Sequence, residues 1–253
     1  MLELQKASVW KRASAALFDF ILLGMLSVGV ALLLSLLLGY NNYSREFEAI
    51  TESYESAYGV DFDISADEYA ALTPEEQANF ETAFDAFAAD GEANRLYAMT
   101  VQLTLLILIF GVLGAFLVLE LLVPLLLGNG QTLGKKIFGV GVMRVDGVKI
   151  SGLLLFARAI LGKYTVETML PLLIGVMIAF NILGLGGTLL ILVLLAVEIA
   201  MFAFSRERAL LHDKLSQTVV IDMATQRIFD TPEALLAYKQ QLHAESVEKT
   251  TYL

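Results

Sequence analysis

Cysteine is absent from the 253-residue chain, so it has no disulfide framework, thiolate nucleophile or cysteine-based zinc site. Histidine is nearly absent: His212 and His243 are the only two, too few for a histidine-rich metal centre. Charge is scarce as well, at 17% of residues against about a quarter in an ordinary soluble domain. No basic surplus marks a nucleic-acid surface, because 17 Lys and Arg stand against 27 Asp and Glu. Apolar residues fill the chain instead: 57% are hydrophobic and the mean hydropathy is +0.68. Such a composition excludes a soluble enzyme and points to a membrane protein.

Apolar runs predict four transmembrane helices, over about 13–38, 100–127, 164–180 and 188–204. The first has Asp19 as its only charge and is too long for a secretory signal, whose apolar part runs to about 7–15 residues, so it reads as a retained anchor. The second contains Glu120 and Pro124; the stretch Asn181 to Gly187 is the turn between the last two. Basic residues gather at Lys6, Lys11 and Arg12, at Lys135, Lys136, Arg144 and Lys149, and at Arg206, Arg208 and Lys214. Because cytoplasmic loops carry the excess of Lys and Arg, both termini are expected in the cytoplasm. Residues 41–99 hold only Arg45 and Arg95 against fourteen Asp or Glu, a net charge of -12, so the low pI of 4.7 belongs to one external loop.

That acidic loop is patterned for helices. Phe47, Ile50 and Tyr54 form one stripe, Ser65 with Glu68 forms a capping box, and Thr73-Pro74-Glu75-Glu76 opens a helix with Phe80, Phe84 and Phe87 on one face. A small helical cap is expected. Asp61, Asp63, Ser65 and Asp67 alternate as calcium ligands do, but the template needs Gly where Ala66 stands and Glu where Leu72 stands; helix capping accounts for them and no metal is expected.

On the inner side, Gly134-Lys135 is similar to the end of a P-loop yet lacks its Gly at Asn129 and its Ser or Thr at Lys136, so neither a nucleotide nor another cofactor is expected. Val140, Val142 and Val145, then Asp146-Gly147, Val148 and Ile150, predict a small cytoplasmic β-hairpin between the second and third spans, and Thr218 to Ile221 could supply another strand. Thr231-Pro232-Glu233 starts a tail helix carrying Leu235, Leu236 and Leu242, expected to lie against the membrane or a partner.

Charges inside spans cost about 2.5–3.5 kcal/mol each on insertion scales and need partners or water. Asp19, Glu120 and Glu198 each lie about 10–12 Å from the inner end of their spans, which places three carboxylates in one layer. Arg158 and Lys163 precede Glu167, the last two at i,i+4 spacing on one helix face. Whether residues 152–163 lie along the interface or dip inward is open at this point. Two readings of the charges stand: an ion or proton site of Asp19, Glu120, Glu198, Glu167 and Lys163, or buried ion pairs that fix helix register while Arg12 and Lys163 snorkel outward. His212-Asp213 is the only close histidine–acid pair, and neighbours in sequence cannot orient each other as a catalytic base and its carboxylate do, so no enzyme is expected. Ala31, Ser35 and Gly39 form a small-residue stripe suited to close helix packing.

Several of these residues fall into one pattern. Arg12 to Asp19 ahead of the first span, Gly130-Gln131-Thr132-Leu133-Gly134-Lys135-Lys136, Arg158, and His212-Asp213 through Val220 together resemble the RDD family of bacterial membrane proteins. The resemblance covers residues 8–222, with 41–99 as an elaborated outer loop and 223–253 as a tail. It implies that Arg12, Asp19 and Asp213 are the signature residues, that Arg12 bridges both carboxylates where the first and fourth spans meet, and that the protein resides in the bacterial inner membrane. It further implies either ion or solute transport or an accessory role. The combined expectation is an all-α, four-span membrane protein with an acidic external cap. Its functional alternatives are cation- or proton-coupled transport and a non-transporting subunit, with the bilayer, further copies, other membrane proteins, or a monovalent cation or proton as partners and no nucleic acid.

Overall fold

The computed structural model describes residues 6–204 and 210–251. Arg206 and Arg208, counted above among the inner charges, lie outside them. The chain is mainly helical: α1 (Val9–Leu38), α2 (Tyr40–Tyr58), α3 (Ala66–Ala71), α4 (Pro74–Ala89), α5 (Gly91–Phe116), a π-helical stretch (Leu117–Leu122), α6 (Val123–Leu127), α7 (Leu133–Ile137), strand β1 (Val140–Arg144), α8 (Gly152–Phe156), a second π-helical stretch (Ala157–Met169), α9 (Leu170–Ala179), α10 (Gly184–Phe204), α11 (Leu211–Leu215), β2 (Thr218–Asp222) and α12 (Pro232–Thr251). Four of the continuous helices are long and apolar enough to cross a membrane: Val9–Leu38, Gly91–Leu127, Gly152–Ala179 and Gly184–Met201. The third begins at Gly152, well before the expected 164, where the Ser151 hydroxyl caps it by accepting from the Leu154 N–H. Residues 152–163 are thus continuous with the third candidate span, and Arg158 and Lys163 find partners within the protein there.

Two compact units emerge, Val28–Val112 and the remainder. In the first, the acidic segment folds into α2, α3 and α4. Their ends are set by side chains. Ser65 accepts from the Glu68 N–H while Glu68 reaches back to Ser65, and Thr73 and Glu76 repeat that exchange ahead of Pro74. Phe87 gathers the aromatic faces, with ring centres 5.3 Å from Phe62, 5.5 Å from Tyr54 and 6.0 Å from Phe47. At the calcium-like stretch, Asp61 accepts from the Asp63 N–H and Ser65 is committed to its cap, so turn and helix chemistry use these oxygens. The small-residue stripe does not continue to Gly39, whose φ of 68° ends α1. Ala31 packs instead on Gly111, where a Cβ would lie 3.2 Å from that of Ala31.

In the second unit, β1 pairs antiparallel with β2, Val142 opposite Val220. The expected hairpin is corrected here. After the turn at Asp146-Gly147 the returning chain is linked by an isolated bridge, Met143 to Lys149, and by the Arg144 N–H donating to the Val148 carbonyl, while the ladder goes to the distant Thr218–Asp222. That strand wins because it buries Val219 and Ile221 with Met143 in one cluster. The tail packs on the same unit, Leu235 being buried against Val148 and Phe229, whereas Leu236 and Leu242 are exposed.

Both π-helical stretches end just before a proline. Pro124 and Pro171 have no N–H to donate, and the wider i→i+5 turns upstream, such as Val123 N–H to the Val118 carbonyl and Leu170 N–H to that of Thr165, absorb the mismatch. These widened turns carry Glu120, Arg158, Lys163 and Glu167.

Candidate functional site: a cavity ringed by buried charges

Three of the carboxylates expected within the spans, Asp19, Glu120 and Glu167, are each drawn to a base or donor from another part of the chain. Lys163 donates to both oxygens of Glu120, each at 2.7 Å, so the i,i+4 pairing with Glu167 is not its main contact. The π-helical turn changes which face each residue occupies, and Glu167 turns to His212, accepting its backbone N–H at 2.8 Å and lying 2.7 Å from Nδ1. Glu198 adjoins Glu167. Asp19 is held by the Thr132 hydroxyl and the Gly134 N–H, the latter at 2.8 Å. A side chain at 134 would put its Cβ 2.9 Å from the Asp19 carboxyl carbon, so glycine is what lets the inner-loop motif close on α1.

Asp213 is the centre of the cluster, 1% exposed, with Arg158 donating to Oδ1 from both Nε and NH2 at 3.1 and 2.6 Å. Arg12 contributes at 3.7 Å to Oδ2. Arg12 thus reaches Asp213 as expected, and beside it Arg158 makes the closer contact, because α11 seats Asp213 directly on the second π-helical stretch, while Asp19 is tied to the Thr132 motif. Gly162 permits that seating: a Cβ there would fall 2.8 Å from the His212 Cα. His212 therefore has two carboxylates, Glu167 on Nδ1 and Asp213 Oδ1 at 3.4 Å from Nε2. The sequence reading missed the Glu167 pair because the two residues are 45 apart in the chain.

Other motif residues serve the same junction. Gln131 donates to the Val140 carbonyl, Gly130 sits tightly against Val142, and Thr132 caps α7 by accepting from the Lys135 N–H. Lys136 is exposed, whereas Lys135 is buried and its Nζ has no hydrogen-bond partner among the described residues.

These side chains surround a cavity of about 510 Å³, a size typical of small-molecule sites. Facing it are four cations, Arg12, Lys135, Arg158 and Lys163, and three carboxylates, Asp19, Glu167 and Asp213, with His212 among them. Small apolar residues, including Ala13, Ala16 and Val220, complete the walls. Residues 6–217 match the RDD family. The chain belongs to the RDD family. Searches of curated proteins and of solved structures each gave no match. It is thus an RDD-family membrane protein in which Arg12 and Asp213 meet at this cavity.

Electrostatics follow from the pairing. Burial alone would raise the Asp213 pKa, but Arg158, His212 and Arg12 hold its carboxyl well below the usual range. Burial, helped by Arg158 and Lys163, keeps His212 below its ordinary value against the opposing pull of Asp213 and Glu167, so the RDD cavity contains a neutral imidazole near pH 7. For Lys135, burial and then Lys163 and Arg158 push the ammonium down to about 7, against Glu120 and Asp19. No group of three His, Asp or Glu poised to hold a metal occurs among the described residues.

Proposed function

We propose that this RDD protein handles a small ion or proton through the charged cavity, as a multi-pass protein of the bacterial inner membrane with both termini in the cytoplasm. The observation that carries the reading is the 510 Å³ cavity ringed by seven charged side chains and a neutral histidine. A cage of bare carboxylates for a dehydrated cation fits poorly, because Glu120 and Asp213 are each held by cations and Asp19 by hydrogen-bond donors. A proton path fits better: Glu198, Glu167 and His212 form a contiguous run of titratable groups, the arrangement that relays use. The reading as a non-enzyme rests on the lack of a free nucleophile at His212, since the Ser216 hydroxyl donates to the His212 carbonyl and also engages Thr218.

A second reading, a non-transporting subunit that docks partners through its acidic cap and tail, is favoured by the closed pairing of Arg158 with Asp213, which serves architecture as well as it serves transport. Proton flux in liposomes separates the two. The transport reading expects purified protein to dissipate an imposed pH gradient and Glu167→Gln to slow this at least about tenfold in protein that thermal unfolding shows to be folded. No flux from folded, inserted protein supports the subunit reading.

A further inference from the structure

One member of the cavity is unexplained by either reading. Lys135 is 8% exposed, lines the cavity, and places an ammonium with three donors where no described acceptor reaches it. The other cations are occupied, Lys163 by Glu120 and both arginines by Asp213. A buried polar group without a partner costs stability, and a buried ammonium costs more than most, so an unmatched one in a cavity needs an account. Asp19, Glu120, Glu167 and Asp213 are each engaged by other donors, which leaves the Lys135 ammonium without a hydrogen-bonded counter-charge among the described residues. Between these charges the wall is aliphatic, formed by Val9, Ala13, Ala16, Leu210 and Val220.

We propose that the cavity binds a singly charged oxyanion with an apolar chain, its carboxylate or phosphate accepting from Lys135 and its chain lying along the aliphatic wall. The inference rests on the cavity being the functional site and names what it takes. Anion binding is linked to protonation of Lys135. Facing that ammonium are Asp19 and Arg12 from α1, Glu120 from the first π-helical stretch, and Arg158 and Lys163 from the second, so its proton is held weakly until an anion arrives. Anion and proton therefore enter together.

The test is titration calorimetry on the delipidated full-length protein, with three probes: octanoate, dioctanoyl phosphatidylglycerol and inorganic phosphate, and with octanamide as the neutral control. The expected result is saturable binding of octanoate or of the phosphatidylglycerol, none of octanamide, and affinity falling towards tenfold per pH unit between pH 8 and 9, where one proton is taken up with each anion. Binding of octanoate identifies a dissolved solute as the occupant, and binding of the phosphatidylglycerol alone identifies a membrane lipid. Lys135→Met should lose at least about tenfold in affinity while its Tm stays level or rises, because it removes a charge that has no partner. Should that variant fail to fold, Lys135→Gln and the wild-type pH dependence carry the same decision. No anion binding by folded wild type, binding of phosphate alone, or undiminished affinity in the Lys135 variants overturns the inference. Flux without anion binding would sink this inference and leave the transport reading standing, while anion binding without flux would do the reverse.

Discussion

The acidic helices and the charged cavity use the same side chains to opposite ends. At the starts of α3 and α4, Glu68 and Glu76 lie in contact with solvent and accept from the Ser65 and Thr73 backbone N–H groups three residues away, so each acts locally. Around the cavity, Asp213, Glu120 and Glu167 are withdrawn from solvent and depend on bases brought from remote parts of the chain. A capping carboxylate can be lost with little consequence. A buried one holds its elements in register, and removing its partner strands a charge.

Substitutions that strand a charge should therefore have the largest effects. Arg158→Ala removes the closest charge partner of Asp213 and leaves it the longer contacts to Arg12, His212 and Thr218, and a loss of about 3–5 kcal/mol is expected, measured as lowered Tm and yield of folded protein. Replacing both partners, Arg158→Met with Asp213→Leu, should recover most of that loss; failure to recover any would mean the pair does more than balance charge. Next is Gly162→Ala, whose methyl would be forced against the His212 backbone, costing about 1–3 kcal/mol and lowering Tm correspondingly. In the acidic helices Thr73→Ala removes one cap and should cost about 1 kcal/mol, or about 2–4 °C in Tm.

Mild acidification gives the smallest change. Because the folded pKa of His212 lies below 6.5, the unfolded chain takes up a proton that the folded chain refuses, so stability falls as pH drops through that interval. Asp213 acts in the same direction lower down, its stabilisation complete above 3.8 and lost as pH falls towards its depressed pKa. Thermal unfolding at pH 7 and 6 should differ by about one or two degrees, and a His212→Gln variant should show a smaller difference, the remainder coming from Lys135, whose pKa of about 7 acts in the same direction.

Much of this was legible in the sequence. Apolar runs mark the four spans, and the Ser65 and Thr73 capping boxes are visible from i,i+3 spacing alone, because helix ends are decided by neighbours in the chain. Part of the cavity lining is also visible there, since Asp19, Arg158, Lys163, Glu167, His212 and Asp213 are conspicuous as charges in or beside apolar segments, whereas Glu120 and Glu198, equally conspicuous, do not line it. Their partners were not. Helical spacing at 3.6 residues per turn pairs Lys163 with Glu167, but the π-helical turns ahead of Pro171 redirect Lys163 to Glu120 and Glu167 to His212. The hairpin expectation failed for a related reason: Val148 and Ile150 alternate as a strand should, while the better partner for β1 lay far along the chain. Lys135 was read as part of an inner-loop motif, and only the fold reveals that its ammonium is buried without an acceptor.

The most direct test of the central claim, that the charge cluster surrounds a water-filled site open to the cytoplasm, uses the chain's lack of cysteine. A single Ala16→Cys substitution places one thiol on the cavity wall with no background. The account predicts that a membrane-impermeant maleimide labels it in inside-out vesicles and not in right-side-out ones, since a thiolate forms only where water reaches it. Protection from both sides in folded protein would contradict the account and make the cluster a dry structural junction.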